Sequence, residues 1–132
     1  MIAMYGADFS ELVGKTLVSV ERQNSGLGDS ESIVFTTDAG DRYGMYYEQD
    51  CCASCYIEDI AGDLNDLVGS PIVRAEENGN DEVEPPSPEE TPESFTWTFY
   101  RIATANGLVV IRWYGSSNGY YSERATFSKL PE

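Results

Sequence analysis

Asp8-Phe9-Ser10-Glu11-Leu12-Val13-Gly14-Lys15-Thr16-Leu17-Val18-Ser19-Val20-Glu21 recurs 55 residues later as Asp63-Leu64-Asn65-Asp66-Leu67-Val68-Gly69-Ser70-Pro71-Ile72-Val73-Arg74-Ala75-Glu76. Six of the fourteen positions are identical and four more are conservative. Each copy opens with the same local physics. Asp8 has the chemistry of a helix N-cap, and Glu11 stands where a capping box needs a carboxylate. Gly14 supplies the left-handed stop. Asp63, Asp66 and Gly69 occupy the same places in the second copy. Only about one helical turn fits between cap and stop. An apolar, β-prone stretch follows in both, Leu17 to Arg22 and Ile72 to Ala75.

Working outward, the two halves continue in parallel. Glu31-Ser32-Ile33-Val34-Phe35-Thr36 matches Glu93-Ser94-Phe95-Thr96-Trp97-Thr98, each rich in β-branched and aromatic residues. Turns follow at Asp38-Ala39-Gly40-Asp41 and at Asn106-Gly107, the latter a strong hairpin signal. Third strands are expected from Tyr43 to Glu48 and Leu108 to Tyr114, and fourth strands from Tyr56 to Ile60 and Tyr120 to Phe127. The fold expected is mainly β with minor α: two similar antiparallel four-stranded meanders, each preceded by a short helical turn. They would pack as a pseudo-two-fold sandwich or a partly open barrel, since neither apolar face can be buried alone. One domain spans 1–132 on this reading, with an internal repeat of 8–60 and 63–130. Asn78 to Thr91, rich in acids and proline and devoid of aromatics, reads as a disordered acidic insertion.

The formal net charge is −15. Residues 76–93 hold eight acids and no base, which leaves −7 on the other 114 residues. That balance argues against direct nucleic-acid binding, which needs clustered Lys and Arg, and against adsorption to anionic membranes. No apolar run is long enough for a transmembrane helix, and the N-terminus has no secretory pattern. Histidine is absent, which removes the commonest general base and metal ligand. Cys51, Cys52 and Cys55 lack a fourth zinc ligand and any neighbouring cation that would activate a thiolate, so they read as packing residues. The carboxylates Glu58, Asp59 and Asp63 match no calcium loop. No metal, no cofactor and no catalytic set is expected.

One stretch concentrates recognition chemistry: Arg112-Trp113-Tyr114-Gly115-Ser116-Ser117-Asn118-Gly119-Tyr120-Tyr121-Ser122-Glu123-Arg124. Aromatic rings stack on planar groups, and guanidinium groups hold phosphate or carboxylate. Strand alternation sets Trp113 with Val109 and Ile111 on one face, and Arg112 and Tyr114 with Leu108 and Val110 on the other. Candidate ligand-binding residues are Arg101, Arg112, Trp113, Tyr114, Asn118, Tyr120, Tyr121 and Arg124. A core aromatic cluster under a surface hairpin is the alternative.

Gln49-Asp50-Cys51-Cys52, Ile57-Glu58-Asp59-Ile60, Leu67-Val68-Gly69-Ser70-Pro71-Ile72, Trp97-Thr98-Phe99-Tyr100 and the Arg112–Glu123 run, in this order and spacing, resemble a family of small tailed-bacteriophage proteins of unknown function. The resemblance covers nearly the whole chain outside the acidic insertion. It implies a phage accessory protein made in the host cytoplasm, and it carries no catalytic residues. By analogy with such proteins, the expected role is counter-defence without enzymatic activity: sequestration of a small nucleotide-type host signal, by an oligomer with pockets at a subunit seam. The competing expectation is an acidic protein-protein inhibitor or DNA mimic that occupies a host nuclease or defence effector. The acidic charge favours the second.

Overall fold

A computed structural model describes residues 5–23, 31–47, 53–80, 94–117 and 124–130. Among these described residues, nine strands and two 3-10 turns follow one another: β1 Tyr5–Gly6, η1 Phe9–Leu12, β2 Leu17–Gln23, β3 Ser32–Thr37, β4 Arg42–Tyr46, β5 Ala53–Ala61, η2 Leu64–Leu67, β6 Arg74–Asn80, β7 Ser94–Thr104, β8 Gly107–Ser117 and β9 Thr126–Leu130. Two antiparallel sheets result, in the orders β1-β9-β4-β3-β2 and β5-β8-β7-β6. Apart from the two-residue β1, each sheet has four strands, and they do not close into a barrel.

Both copies of the repeated segment fold as their residues dictate. The Asp8 N–H donates to Glu11 Oε2 at 2.9 Å, and Asp63 Oδ1 accepts from the Asn65 N–H at 2.9 Å. Gly14 and Gly69 both take positive φ, +88° and +90°. Leu12 and Leu67 project from the turns into the core, as do Leu17 and Ile72 just beyond. The two copies also meet. Gly14 N–H donates to Ile72 O at 2.8 Å, and its counterpart Gly69 N–H donates to Leu17 O at 2.9 Å. Thr16 bridges Pro71, its own equivalent. These reciprocal bonds put the pseudo-two-fold axis between Thr16 and Pro71.

The sandwich differs from two independent meanders in one respect. Each half lays its first three strands side by side, β2-β3-β4 and β6-β7-β8, but the fourth strand crosses over. Strand β5 pairs with β8 and β9 pairs with β4. The exchange is mutual, so the two-fold correspondence survives it. A second correction concerns register. Phe35 faces Val20 and Ile102 faces Ala75. The equivalents of Ile33 and Phe35 are therefore Tyr100 and Ile102, not Phe95 and Trp97. The cause is length: β7 and β8 have 11 residues each against 6 and 5 in β3 and β4. At about 3.3 Å per residue, the central strands of the second sheet run roughly 15–20 Å longer.

Between the sheets, Phe9 is the hub of an edge-to-face aromatic set, with ring centroids 5.0 Å from Tyr100, 5.3 Å from Phe127 and 6.3 Å from Phe35. Ile111, Val109, Met45 and Tyr47 pack in the same interior. Asn78, Gly79 and Asn80, assigned above to the acidic insertion, are ladder residues of β6 opposite Phe99, Thr98 and Trp97. The rest of that insertion, 81–91, lies outside the described residues.

Candidate functional site

The extra length of β7 and β8 carries an aromatic layer on the outer face of the second sheet. Alternation along β7 points Phe95, Trp97, Phe99 and Arg101 outward, while Thr98, Tyr100 and Ile102 point into the sandwich. On β8 the outward set is Val110, Arg112 and Tyr114. The ladder sets Tyr56, Tyr114 and Trp97 in one row, and Arg112 and Phe99 in the next. Ring contacts tie the rows together: Trp97 to Tyr114 at 4.9 Å, Tyr56 to Tyr114 at 5.8 Å, Phe95 to Tyr114 at 6.2 Å and Trp97 to Phe99 at 6.5 Å. Trp97 and Tyr114 are nearly covered, at 4% and 6% exposure, while Tyr56 is 38% exposed. Phe95 and Phe99 are half-buried.

Two guanidinium groups lie in this layer. Arg112 sits 5.3 Å above the Trp97 ring and Arg101 sits 5.4 Å above the Phe99 ring, within cation–π range. Arg101 pairs with Val110 and Arg112 with Phe99, so the two arginines are diagonal neighbours on one face. Arg101 also donates to Asn78 Oδ1 at 3.3 Å.

A β-bulge governs the surroundings of Arg112. The β5–β8 register slips between Ile57 and Asp59, leaving Glu58 as the extra residue. Ile57 and Ile60, three apart, thereby both face inward opposite Trp113 and Ile111. Glu58 and Asp59 are both brought to Arg112. Its Nε donates to Glu58 Oε2 at 2.5 Å, and Nη2 lies 3.9 Å from Asp59 Oδ2. The arginine is therefore already neutralised by its own sheet. Burial, and then the Glu58 carboxylate, push the Tyr56 phenol above its ordinary range.

The residues singled out from sequence separate into three groups. Arg101, Arg112 and Tyr114 do share the outer face. Trp113 does not: it is 0% exposed in the core, and its Nε1–H donates to Met45 Sδ at 3.1 Å. Strand alternation, which buries Ile111 and Val109 beside it, is the reason. Arg124 is also elsewhere. It lies just before β9 and meets Glu77 Oε1 at 3.4 Å, beside the inward-facing Tyr100. Asn118, Tyr120 and Tyr121 lie outside the described residues, as do Cys51 and Cys52. Cys55 is a buried core residue of β5. Ala53 and Ser117 pair at adjacent strand ends of β5 and β8.

Sequence reasoning missed Tyr56, Phe95, Trp97 and Phe99. The signal was present as Phe-x-Trp-x-Phe-x-Arg at 95–101, an alternation that puts all four side chains on one face. Of the other carboxylates considered, Asp63 is the cap of η2. Among the described residues, no His/Cys/Asp/Glu group of three or more is placed to hold a metal. No helix there is long and apolar enough to cross a membrane.

Fold and face together define a small acidic β-sandwich with an aromatic and arginine outer layer. A family model described as a domain of unknown function, DUF7448, matches residues 10–127, and the chain belongs to that family. No curated protein and no solved structure matches it.

Proposed function

We propose that this is a non-enzymatic binding protein whose working surface is the outer face of the second sheet, and that it acts as an acidic inhibitor of another protein. One observation carries the reading: Arg112 is held between Glu58, Asp59 and the Trp97 ring, so around Arg112 the face offers rings and carboxylates rather than an unneutralised cation. Aromatic centres with a charged rim suit a partner that brings apolar side chains ringed by lysine or arginine. The net charge of −15 speeds encounter with such a partner. The resemblance to small tailed-phage proteins supplies the setting: a phage accessory protein that occupies a host effector in the host cytoplasm.

A second reading, capture of a nucleotide-like ligand, draws on the diagonal placement of Arg101 and Arg112 around Phe99. A base stacked on Phe99 would set its phosphate near Arg101. The charge of the chain and the prior engagement of Arg112 weigh against it.

Affinity capture from bacterial lysate, with wild type and with Tyr56→Ser/Phe99→Ser, tests the first reading. A protein retained by wild type and lost by the double variant, whose melting temperature stays near wild type, supports it. Equal retention by both proteins removes the face from the account. Thermal shift against nucleotides and cyclic nucleotides tests the second. A ligand at 100 times its Kd stabilises by about 2.7 kcal/mol, and Arg101→Ala should abolish that shift.

A further inference from the structure

The last rung of the β7–β8 ladder sets Thr104 opposite Gly107. Ala105 and Asn106 form the turn beyond it, and both are exposed. Packing explains the glycine. A Cβ at Gly107 would stand 2.9 Å from Asp66 Oδ2 and 3.3 Å from Asp66 Cβ, so a side chain there would have to push Asp66 of η2 aside. Polar contacts tie the same tip to η2 and the residues after it. The Thr104 hydroxyl donates to Asp66 O at 2.6 Å, the Asn106 N–H donates to Thr104 Oγ1 at 3.2 Å, and Asn106 Nδ2 donates to Ser70 Oγ at 3.1 Å. The fold thus places an exposed asparagine at a turn and follows it with a residue that has no side chain to shield its amide nitrogen.

We propose that Asn106 is a site of spontaneous covalent modification, at which its side-chain amide becomes a carboxylate with water as the co-reactant. The Gly107 nitrogen attacks Asn106 Cγ. The N–Cγ bond forms and the Cγ–Nδ2 bond breaks. Nδ2 leaves as ammonia, taking the proton of the Gly107 nitrogen, and a cyclic imide remains. Water then opens the imide without any change of oxidation state. Attack at Cγ gives aspartate. Attack at the main-chain carbonyl carbon gives isoaspartate, whose backbone runs through Cβ and Cγ. Either product adds a negative charge close to Asp66 and removes the amide that donates to Ser70. Isoaspartate also lengthens the turn by a methylene, which strains the link from Thr104 to η2.

The same dipeptide elsewhere lacks this setting. Asn78 and Gly79 are ladder residues of β6 opposite Phe99 and Thr98, and Asn78 Oδ1 accepts from Arg101 at 3.3 Å. Turning the Asn78 backbone to bring Cγ onto the next nitrogen would break those rungs. Asn118-Gly119 lies outside the described residues. The corresponding turn of the first half, Asp38-Ala39-Gly40-Asp41, has no asparagine. The inference stands apart from the outer-face reading, since the chemistry needs no partner.

Incubation of the folded protein in mildly alkaline buffer, followed by peptide mapping, tests it. Cleavage after lysine and arginine puts Asn106 in 102–112, Asn78 in 75–101 and Asn118 in 113–124, so each is read separately. Peptide 102–112 should gain the mass difference between oxygen and NH and split into aspartate and isoaspartate forms, while Asn78 keeps its amide. Asn106→Gln, whose longer side chain closes the ring poorly, should leave that peptide unchanged. The aged protein should melt below the fresh one, and Asn106→Gln should show no such decline. Retention of the Asn106 amide under conditions that convert it in urea-unfolded protein overturns the proposal, because the fold would then protect the site. Faster conversion at Asn78 than at Asn106 overturns it too, because the turn would not be what decides.

Discussion

Tyr100 has no exposure, and among the described residues its hydroxyl makes no hydrogen bond of good geometry, although the Glu77 carboxylate stands beside it. Burial first, and the Glu77 carboxylate second, hold its phenol well above the ordinary value of 10.0, with Arg124 pulling weakly the other way. The folded state thus keeps a proton that the unfolded chain releases near that pH. Stability from this group is whole below about pH 10 and falls as pH rises past it, by up to about 1.4 kcal/mol per pH unit. Tyr100→Phe should change stability by less than about 1 kcal/mol at neutral pH, since it removes a desolvated hydroxyl whose contact with the Glu77 carboxylate is weak. It should also flatten the alkaline limb. Urea unfolding at neutral pH and above pH 10 checks both. A variant weaker than wild type by more than about 1 kcal/mol at neutral pH would show that the hydroxyl is firmly bonded to Glu77. Trp113 teaches a related lesson at this scale. Beside Arg112 it read as a recognition residue, but one position along a strand is the difference between a surface and a core. Only burial of Val109 and Ile111 decides which face is which, and the repeat of hydrophobic residues at 109, 111 and 113 already held that information.

At the scale of elements, the joint between β5 and η2 is the least tolerant point. Gly62 takes φ +103°, and a Cβ there would stand 2.6 Å from Leu108 O and 3.3 Å from Val109 Cα, both backbone atoms of β8. Gly62→Ala should therefore cost about 3 kcal/mol or more, combining backbone strain with a clash that no side-chain rotation relieves. Gly14→Ala serves as the control. Its φ is also positive, at +88°, but nothing lies within 4 Å of the added Cβ, so only about 1–2 kcal/mol of conformational strain is expected. Denaturation midpoints of the two variants should separate accordingly. Equal midpoints would mean that β8 yields to the intruding methyl group. The capped turns and their glycines were legible in the sequence because Asp8, Glu11, Gly14, Asp63 and Gly69 act within a few residues of themselves. So were the hairpins at Asp38–Asp41 and Asn106–Gly107. The bulge at Glu58 was not, since its cause lies in β8, far along the chain. Nor was the outer aromatic layer, because matching Phe95 and Trp97 to Ile33 and Phe35 hid the five residues by which β7 outruns β3.

For the whole molecule, the mutual exchange of β5 and β9 decides how the halves depend on each other. Neighbours in sequence usually pair, and that expectation made each half look self-contained. Eight of the nine strands were readable in sequence order, but β1 was not foreseen and the last strand, expected from Tyr120 to Phe127, runs Thr126–Leu130; which sheet receives a fourth strand depends on how the two halves pack. Residues 1–61 alone hold β2, β3 and β4 without the β9 that flanks β4, and residues 62–132 hold β6, β7 and β8 without β5. Each fragment should be largely unfolded by circular dichroism and amide dispersion. Mixed at micromolar concentration, they should recover the native spectrum. A fragment that folds alone as a monomer would mean that its own fourth strand can return to the home sheet, and the exchange would then be a choice rather than a requirement.

The first sheet ends in β1, which lies beside β9 with Tyr5 across from Lys129 and Gly6 across from Ser128. The two ends of the fold therefore emerge at one edge, side by side and antiparallel. Tension applied between Tyr5 and Leu130 would peel β1 and then β9 away rung by rung, the geometry that resists force least. The interlocked interior would be reached only after that edge had come apart. This sandwich should accordingly yield early to a machine that tugs on its tails, however well its interior withstands heat.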